Sequence, residues 1–394
     1  MKPITVIVPL PPSYRGGTEE YAYQVARRLA DHWPVQIVTT NVRWDPTTES
    51  VPTGSIPIER IPARELLERP VVLGAHARRQ LRRAVGASSL VHLHMPFPMV
   101  ERWVAGWAAR AQIPLVLTYH MDAEVGPDVL RPVRTLVQGA YRRFSARPAL
   151  AQAAKVVSNS RGYAEESPVL SSYLSKVQVI PKGVDPVRLK IGAPSSPTQG
   201  SPVLPTPSSP STRRVVFVGR LTHYKGVDVL LDAIGELNRS GRAVDLWVAG
   251  RGPLRESLEE RAKAMGIDRQ VHFLGFVPDS EVGDMFRAAD VVACPSIGRL
   301  EATPTSLEEA ASCGAPVVGS AIRGTEETVP HDGVRGILVP PEDSRALAEA
   351  IARLMDQPRP PAPLQVRTWA DVASDYHTLF EDLMARPEPR TFRS

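Results

Sequence analysis

Glu301 and Glu309, with seven residues between them, stand in a stretch of chain suited to meeting hydroxyls or phosphates. It runs from Pro295 to Val318 as PSIGRLEATPTSLEEAASCGAPVV. Thr303 is a good helix N-cap and Pro304 a good first helical residue, so a helix is predicted to begin there. Glu301 would then sit just ahead of the helix and Glu309 about two turns in. At such a start the amides of Thr305 and Ser306 lack intrahelical partners, and free amides suit a phosphate or a sugar hydroxyl. Flanking carboxylates can accept hydrogen bonds from vicinal hydroxyls. The same residues would also make an ordinary solvated amphipathic helix, so the segment has to be weighed with others.

A second segment, FVGRLTHYKGVDVLL from Phe217 to Leu231, reads as a strand ending in Gly219, a loop carrying Arg220 and Lys225, and a helix. Two fixed cations at a helix start suit a diphosphate and can stabilise the charge that grows on it as a bond to it breaks. A third is Arg15-Gly16-Gly17-Thr18-Glu19 after the first apolar run. Small residues there let backbone approach a ligand, and Thr18 could cap the following helix; a tight turn with no ligand is the plainer alternative. The fourth is Thr118-Tyr119-His120 at the end of a predicted strand, where doubly wound sheets place their chemistry. His94, also at a strand end, competes with His120 for that role.

The elements that must position these residues follow one grammar. Strands are predicted at 4–8, 35–39, 90–94, 115–118, 155–158 and 177–180, with helical segments between most of them. Thr18 to Asp31 is helical, with Tyr21, Val25 and Leu29 on one stripe. The grammar restarts with strands at 214–218, 246–249, 271–274, 291–293 and 316–318 and helices at 227–238 and 254–265. Strands separated by helices imply parallel pairing with right-handed crossovers. Between the halves lies APSSPTQGSPVLPTPSSPST, a Pro/Ser/Thr stretch that reads as a linker. The expected architecture is α/β: a first domain over 1–192, a linker over 193–212, a second domain over 213–366, and a terminal helix within 367–394. Two doubly wound domains of this kind face a central cleft with the carboxyl ends of both sheets. The terminal stripe Val372, Tyr376, Leu379, Phe380 and Leu383 reads as a helix covering a core, with the first domain as the surface it could pack back on.

The composition bounds the function. At 394 residues, 43% hydrophobic and 23% charged, the chain suits two soluble domains. The apolar run at the amino terminus is too short for a signal peptide, and only Cys294 and Cys313 are present, which points to a reducing cytoplasm. The formal charge is +5, and the excess is local. No acid separates Asp128 from Glu165, while Arg131, Arg134, Arg142, Arg143, Arg147, Lys155 and Arg161 lie between; Arg78, Arg79, Arg82 and Arg83 form a second cluster. Solvated helix faces would explain both clusters, as would contact with anionic lipid or a phosphorylated acceptor. Nucleic acid is disfavoured, because no aromatic-studded basic motif or zinc module accompanies the charge.

Taken together, these segments resemble the family-four retaining glycosyltransferases of the GT-B fold. The resemblance is carried by RGGTEEYAYQVARRLA, VHLHMP, PLVLTYHMDAE, VQVIPKGVD, VGRLTHYKGVDVLLDA, VAGRGPLRESL, VHFLGFVPDSEV and the Glu-to-Glu segment, in that order. It implies a nucleotide-diphosphate sugar donor. Glu309 would bind the donor ribose diol, Glu301 would lie by the sugar and its phosphate, and Arg220 and Lys225 would hold the diphosphate. Gly17 would let its amide approach that diphosphate, His120 would line the sugar site, and Gly275-Phe276-Val277 would contact the base through backbone. There are two departures. Thr303 and Pro304 replace the Phe-Gly of many members, resembling a Glu-Gly-x-Pro variant, and Pro304 has no N–H to give, so sugar contacts must come from later amides such as Thr305 and Ser306. Lys182 stands before Gly183-Val184-Asp185 where Asn or an aliphatic residue is common.

No Asp-x-Asp pair occurs in the sequence, so no carboxylate pair of that kind can clamp a divalent cation on a diphosphate. Arg220, Lys225 and helix amides are expected to do that work, without metal or further cofactor. The expected reaction moves a hexosyl unit to a hydroxyl of a polysaccharide, glycolipid or lipid-linked acceptor. The expected setting is the cytoplasm, with peripheral contact with an anionic membrane as an addition. A sugar-nucleotide epimerase on the same architecture would instead need acid/base carboxylates and no acceptor. A catalytically silent sugar-nucleotide or membrane-surface binding protein would have no need of the set Glu301, Glu309, Arg220 and Lys225.

Overall fold

The structure is a computed structural model that describes residues 1–11, 17–42, 56–66, 69–122, 131–191, 209, 211–298, 301–360 and 362–385, with backbone only for 131–134. Arg15, Gly16 and nearly all of the expected linker lie outside the described residues.

The chain forms two compact units, Met1–Lys182 with Trp369–Ser394, and Gly183–Thr368. The first holds strands β1 (Ile4–Ile7), β2 (Val35–Thr40), β3 (Ile58–Ile61), β4 (Arg64–Leu66), β5 (Arg69–Val71), β6 (Leu90–Met95), β7 (Leu115–Tyr119), β8 (Lys155–Ser158) and β9 (Val177–Val179). Its helices are α1 (Gly17–Leu29), α2 (Ala75–Gly86), α3 (Val100–Arg110), α4 (Arg131–Tyr141), α5 (Arg147–Gln152) and α6 (Arg161–Glu166), with a π-helical turn at Arg142–Ala146 between α4 and α5. Among the described residues a seven-stranded sheet runs β3-β2-β1-β6-β7-β8-β9, and every pairing in it is parallel; β4 and β5 form an antiparallel pair. The second unit holds β10 (Arg213–Val218), β11 (Val244–Ala249), β12 (Val271–Gly275), β13 (Val291–Cys294), β14 (Val317–Ser320) and β15 (Gly336–Val339). With them are α7 (Val227–Arg239), α8 (Arg255–Ala264), α9 (Asp279–Ala288), α10 (Thr305–Ser312), α11 (Arg323–Thr328) and α12 (Ser344–Met355). Its sheet runs β12-β11-β10-β13-β14-β15, again parallel.

Helices cover both faces of such sheets, so the strands read as unbroken apolar runs and not as alternating ones. Every residue of β11 and of β6 is buried, His92 and His94 included. The last helix, α13 (Trp369–Ala385), belongs to the first unit. It buries Trp369, Val372, Tyr376, Leu379 and Phe380 in the same cluster as Tyr21, Val25 and Leu29 of α1.

The division at Lys182/Gly183 falls ten residues before the expected boundary at 192. Burial gives the reason: Val184 and Leu189 are 1% and 0% exposed within the second unit's core. Val184 N also donates to Arg367 O at 2.8 Å, so the segments by which the chain enters and leaves this unit are bonded to each other.

Candidate active site

In the second sheet the strand order reverses between β10 and β13. A doubly wound sheet opens a crevice at the carboxyl ends of strands flanking such a reversal. The segments leaving those ends, 219–226 and 295–298, are tied together. Ile297 N donates to Tyr224 O at 2.7 Å. Gly226 has φ +65°, and a Cβ there would overlap the Pro295 carbonyl, so both the left-handed turn and the close approach require glycine.

This packing seats Lys225 against Glu301 as an ion pair, the side chains 12% and 8% exposed. Ser296 Oγ donates to Glu301 Oε2 at 2.8 Å, and Cys294 Sγ lies 3.3 Å from Ser296 Oγ. Burial by itself would lower the Lys225 pKa, but the neighbouring Glu301 charge overrides it and holds the ammonium above its ordinary range. Lys225 is therefore a fixed cation. Arg220 on the same loop is exposed, and its charge reaches Tyr224 next to Lys225. Glu301 balances Lys225, so Arg220 leaves the loop net positive, as an anion site requires.

The helix beyond Glu301 starts later than its sequence suggests. α10 begins at Thr305, and Pro304, at φ −81° and ψ 81°, precedes it without a side-chain cap. Thr303 is no N-cap: its Oγ1 is buried and has no hydrogen-bond partner among the described residues. Residues 301–304 are all buried, and Gly324 is packed so closely on the Ala302 carbonyl that a Cβ would overlap it. Tertiary packing thus holds this stretch out of the helix despite its capping chemistry. The Thr305 amide is not free either, since it donates to Thr303 O at 3.0 Å. Among the described residues the Ser306 amide has no such backbone partner outside its helix.

Glu309, half-buried, is paired with Arg188, whose other nitrogen lies 3.4 Å from Asp279. The sequence did not point to Arg188; it reaches Glu309 because Leu189 anchors its segment in the second unit's core. Val277 is buried. Beside it Gly275 has φ +68° and Phe276 is 47% exposed, with the Arg251 guanidinium 5.6 Å from its ring.

In the first unit α1 begins at Gly17, so Thr18 lies inside the first turn and is not a cap ahead of it. A Cβ on Gly17 would meet nothing within 4 Å, so packing among the described residues does not demand glycine there. His120, just past β7, is 5% exposed, and its Nε2 lies 2.9 Å from Nδ1 of His94, so the two competing histidines form one pair. Next to them His92 Nε2 lies 2.7 Å from Thr118 Oγ1, which lies 2.7 Å from the Tyr376 hydroxyl of α13. Burial is the main reason all three imidazoles lose basicity; His92 falls to about 3. The Lys182 charge depresses His120 further. Asp122 then pins the chain after His120. Its carboxylate accepts from Tyr119 at 2.8 Å, Ser167 at 3.1 Å and Tyr163 at 3.3 Å. Nothing in the sequence marks Asp122 or Tyr376 as a site residue, because only the fold brings them to His120.

Residues 15–188 match the profile of Glycosyltransferase Family 4, and residues 206–368 that of Glycosyl transferases group 1. D-rhamnosyltransferase WbpZ of Pseudomonas aeruginosa is 29% identical over 345 residues, 87% of this chain and 84% of its own. D-inositol 3-phosphate glycosyltransferase of Xylanimonas cellulosilytica is 30% identical over 355 residues, 86% of this chain and 83% of its own. Among solved structures, Anabaena HepE in complex with UDP and glucose superposes with a TM-score of 0.67 at 19% identity, covering 97% of this chain and 95% of that one. The two profiles in sequence and a 30% identical relative matched over most of both lengths place the chain in the group 1, family 4 glycosyltransferases, with the two Rossmann-like domains of the GT-B fold.

Proposed function

We propose that this glycosyltransferase is a retaining, metal-independent enzyme that moves a hexosyl unit from a nucleotide-diphosphate sugar to a hydroxyl of a polysaccharide, glycolipid or lipid-linked acceptor. The observation that carries this reading is the Lys225–Glu301 pair beside exposed Arg220 at the reversal of the second sheet. In this reading the donor diphosphate departs toward Arg220 and Lys225, whose positive charge offsets the charge it gains. The acceptor hydroxyl attacks from the same face, and the leaving phosphate takes its proton. Glu309 takes the ribose diol, the Ser306 amide meets the sugar or its phosphate, and Val277 lies at the base. Gly17 brings its amide to the diphosphate, and His120 lines the sugar site. UDP and glucose in the HepE structure, and the sugar transfers for which the relatives are named, support a nucleotide-sugar donor.

Donor turnover in Lys225→Ala and Glu301→Ala tests the reading. A fall of at least tenfold in kcat is expected in each, and near wild-type rates in both would defeat it.

Peripheral contact with an anionic membrane on the cytoplasmic side belongs to the same proposal. No helix among the described residues is long and apolar enough to cross a membrane. α2, α3, the π-helical turn and α5 together carry Arg78, Arg79, Arg82, Arg83, Arg102, Arg110, Arg142, Arg143 and Arg147, and their one acid, Glu101, is fully buried. Half-buried Trp103 and Trp107 line a groove with Arg78, Arg102 and Arg110, and Phe144 is 52% exposed. Arginines beside exposed aromatic rings suit an anionic lipid interface. Sedimentation with vesicles should show binding that rises with anionic lipid; equal binding to neutral vesicles would contradict it.

A further inference from the structure

His94 and His120 present a proton inventory with one favoured solution. Parallel pairing of β6 with β7 sets His94 opposite Thr118. His120 follows two residues later, on the same face as Thr118. Its Nε2 comes 2.9 Å from His94 Nδ1, and the rings lie nearly parallel at 15°. Tyr21 packs its ring edge-on against His120, centroids 5.0 Å apart. The pair is enclosed: His94 is fully buried and His120 is 5% exposed. Two neutral imidazoles carry two protons, and exactly one of them occupies the shared contact.

Suppose the shared proton sits on His120 Nε2. Neutral His94 must then hold its own proton on Nε2, and that nitrogen is buried with no hydrogen-bond partner among the described residues. Suppose instead it sits on His94 Nδ1. What remains buried and unpaired is then a lone pair, and orphaned buried N–H groups are rarer than under-satisfied acceptors. The second arrangement is favoured, and it sends the remaining His120 proton to Nδ1.

We infer that His94 is a positioning residue: by donating Nδ1–H to His120 Nε2, it fixes His120 as the Nδ1–H tautomer and makes it a hydrogen-bond donor. The only lone pair of His120 is then occupied by His94. His120 can hold a sugar hydroxyl or a phosphate oxygen but cannot take a proton from the acceptor. The acceptor proton must leave by another route, such as the departing phosphate. The functional part rests on the reading that His120 touches substrate; the tautomer does not.

Long-range proton–nitrogen correlation spectra of the nitrogen-15 labelled full chain read the tautomer directly. The expected spectrum has a bare Nε2 and a protonated Nδ1 on His120; a protonated Nε2 overturns the inference. His94→Leu should lower kcat by about 10- to 100-fold, the usual reach of a residue acting through a neighbour, with little change in KM. His94→Asn, whose side-chain amide puts an N–H close to the imidazole Nδ1, should restore most of that loss. Equal rates for the two variants would overturn the positioning role. If His94→Leu does not fold, the wild-type spectrum still decides. Full activity in His120→Ala would remove substrate contact from His120 and leave the tautomer assignment to the spectrum.

Discussion

Glu101 sits in the first turn of α3 beneath the arginine-rich face, fully buried, and among the described residues neither carboxylate oxygen has a well-formed hydrogen bond. Burial pushes its pKa from an ordinary 4.5 up to about 8, and the nearby Tyr141 and Ser145 hydroxyls offset only part of that rise. The sign follows from linkage. The unfolded chain releases this proton near pH 4.5 while the fold keeps it to about pH 8, so stability from this group is full below 4.5 and is lost as pH rises through 8. At pH 7 the loss spans two and a half pH units at about 1.4 kcal/mol each, or about 3 kcal/mol. Glu101→Gln keeps the shape of the protonated acid and removes the ionisation, so it should stabilise the first unit by about that amount at pH 7. Trp33, Trp103, Trp107 and Trp369 lie in this unit, so tryptophan fluorescence in urea reports mainly its unfolding. The gap between variant and wild type should widen from pH 5 to pH 8. Equal stabilities at pH 7, or a gap independent of pH, would refute the reasoning.

The buried histidines act in the opposite direction. His92 titrates at about 3 in the fold against an ordinary 6.5, so its share of stability is full above 6.5 and is lost as pH falls toward 3, by about 1.4 kcal/mol per pH unit; His92→Gln should flatten the acid side of an unfolding free-energy profile by that slope. Gly226→Ala would place a Cβ in a left-handed turn against the Pro295 carbonyl, costing at least about 1–2 kcal/mol from the backbone alone. The clash lies between the segments that seat Lys225 and Glu301, so donor turnover in this variant should fall further than its melting temperature suggests; wild-type turnover would show that the loop contact does not set the pair.

Much of the fold could be read because buried parallel strands are unbroken apolar runs. LVHLHM, VDLWVA and RRVVFV lie within a residue or two of the strands expected from sequence, and the apolar stripe on α13 faces the core. The strands that the sequence does not reveal are short or marginal: β3 is IERI, half charged and mostly half-buried, and β15 is four residues that begin with a glycine. Helix starts misled for a physical reason. Thr303 has the chemistry of a cap, yet packing around Ala302 and Gly324 holds its backbone out of the helix. At the site, Lys225 and Glu301 could be nominated separately because each follows a strand, but their pairing across 76 positions could not. Arg188 against Glu309, and Tyr376 with Thr118 and His92, are products of tertiary packing that no local pattern encodes.

Calorimetric titration of nucleoside diphosphates against the matching monophosphates, in wild type and Arg220→Ala, tests most directly whether the second unit holds a donor diphosphate. Arg220 is exposed, so its removal should leave the fold intact. A charge-assisted hydrogen bond is worth about 1.5–3 kcal/mol, or roughly 10- to 150-fold in Kd. At least one diphosphate, of uridine, guanosine or adenosine, should bind wild type tightly and lose about that factor in Arg220→Ala, while its monophosphate loses much less. Equal losses for the two ligands, or no loss for the diphosphate, would contradict the account.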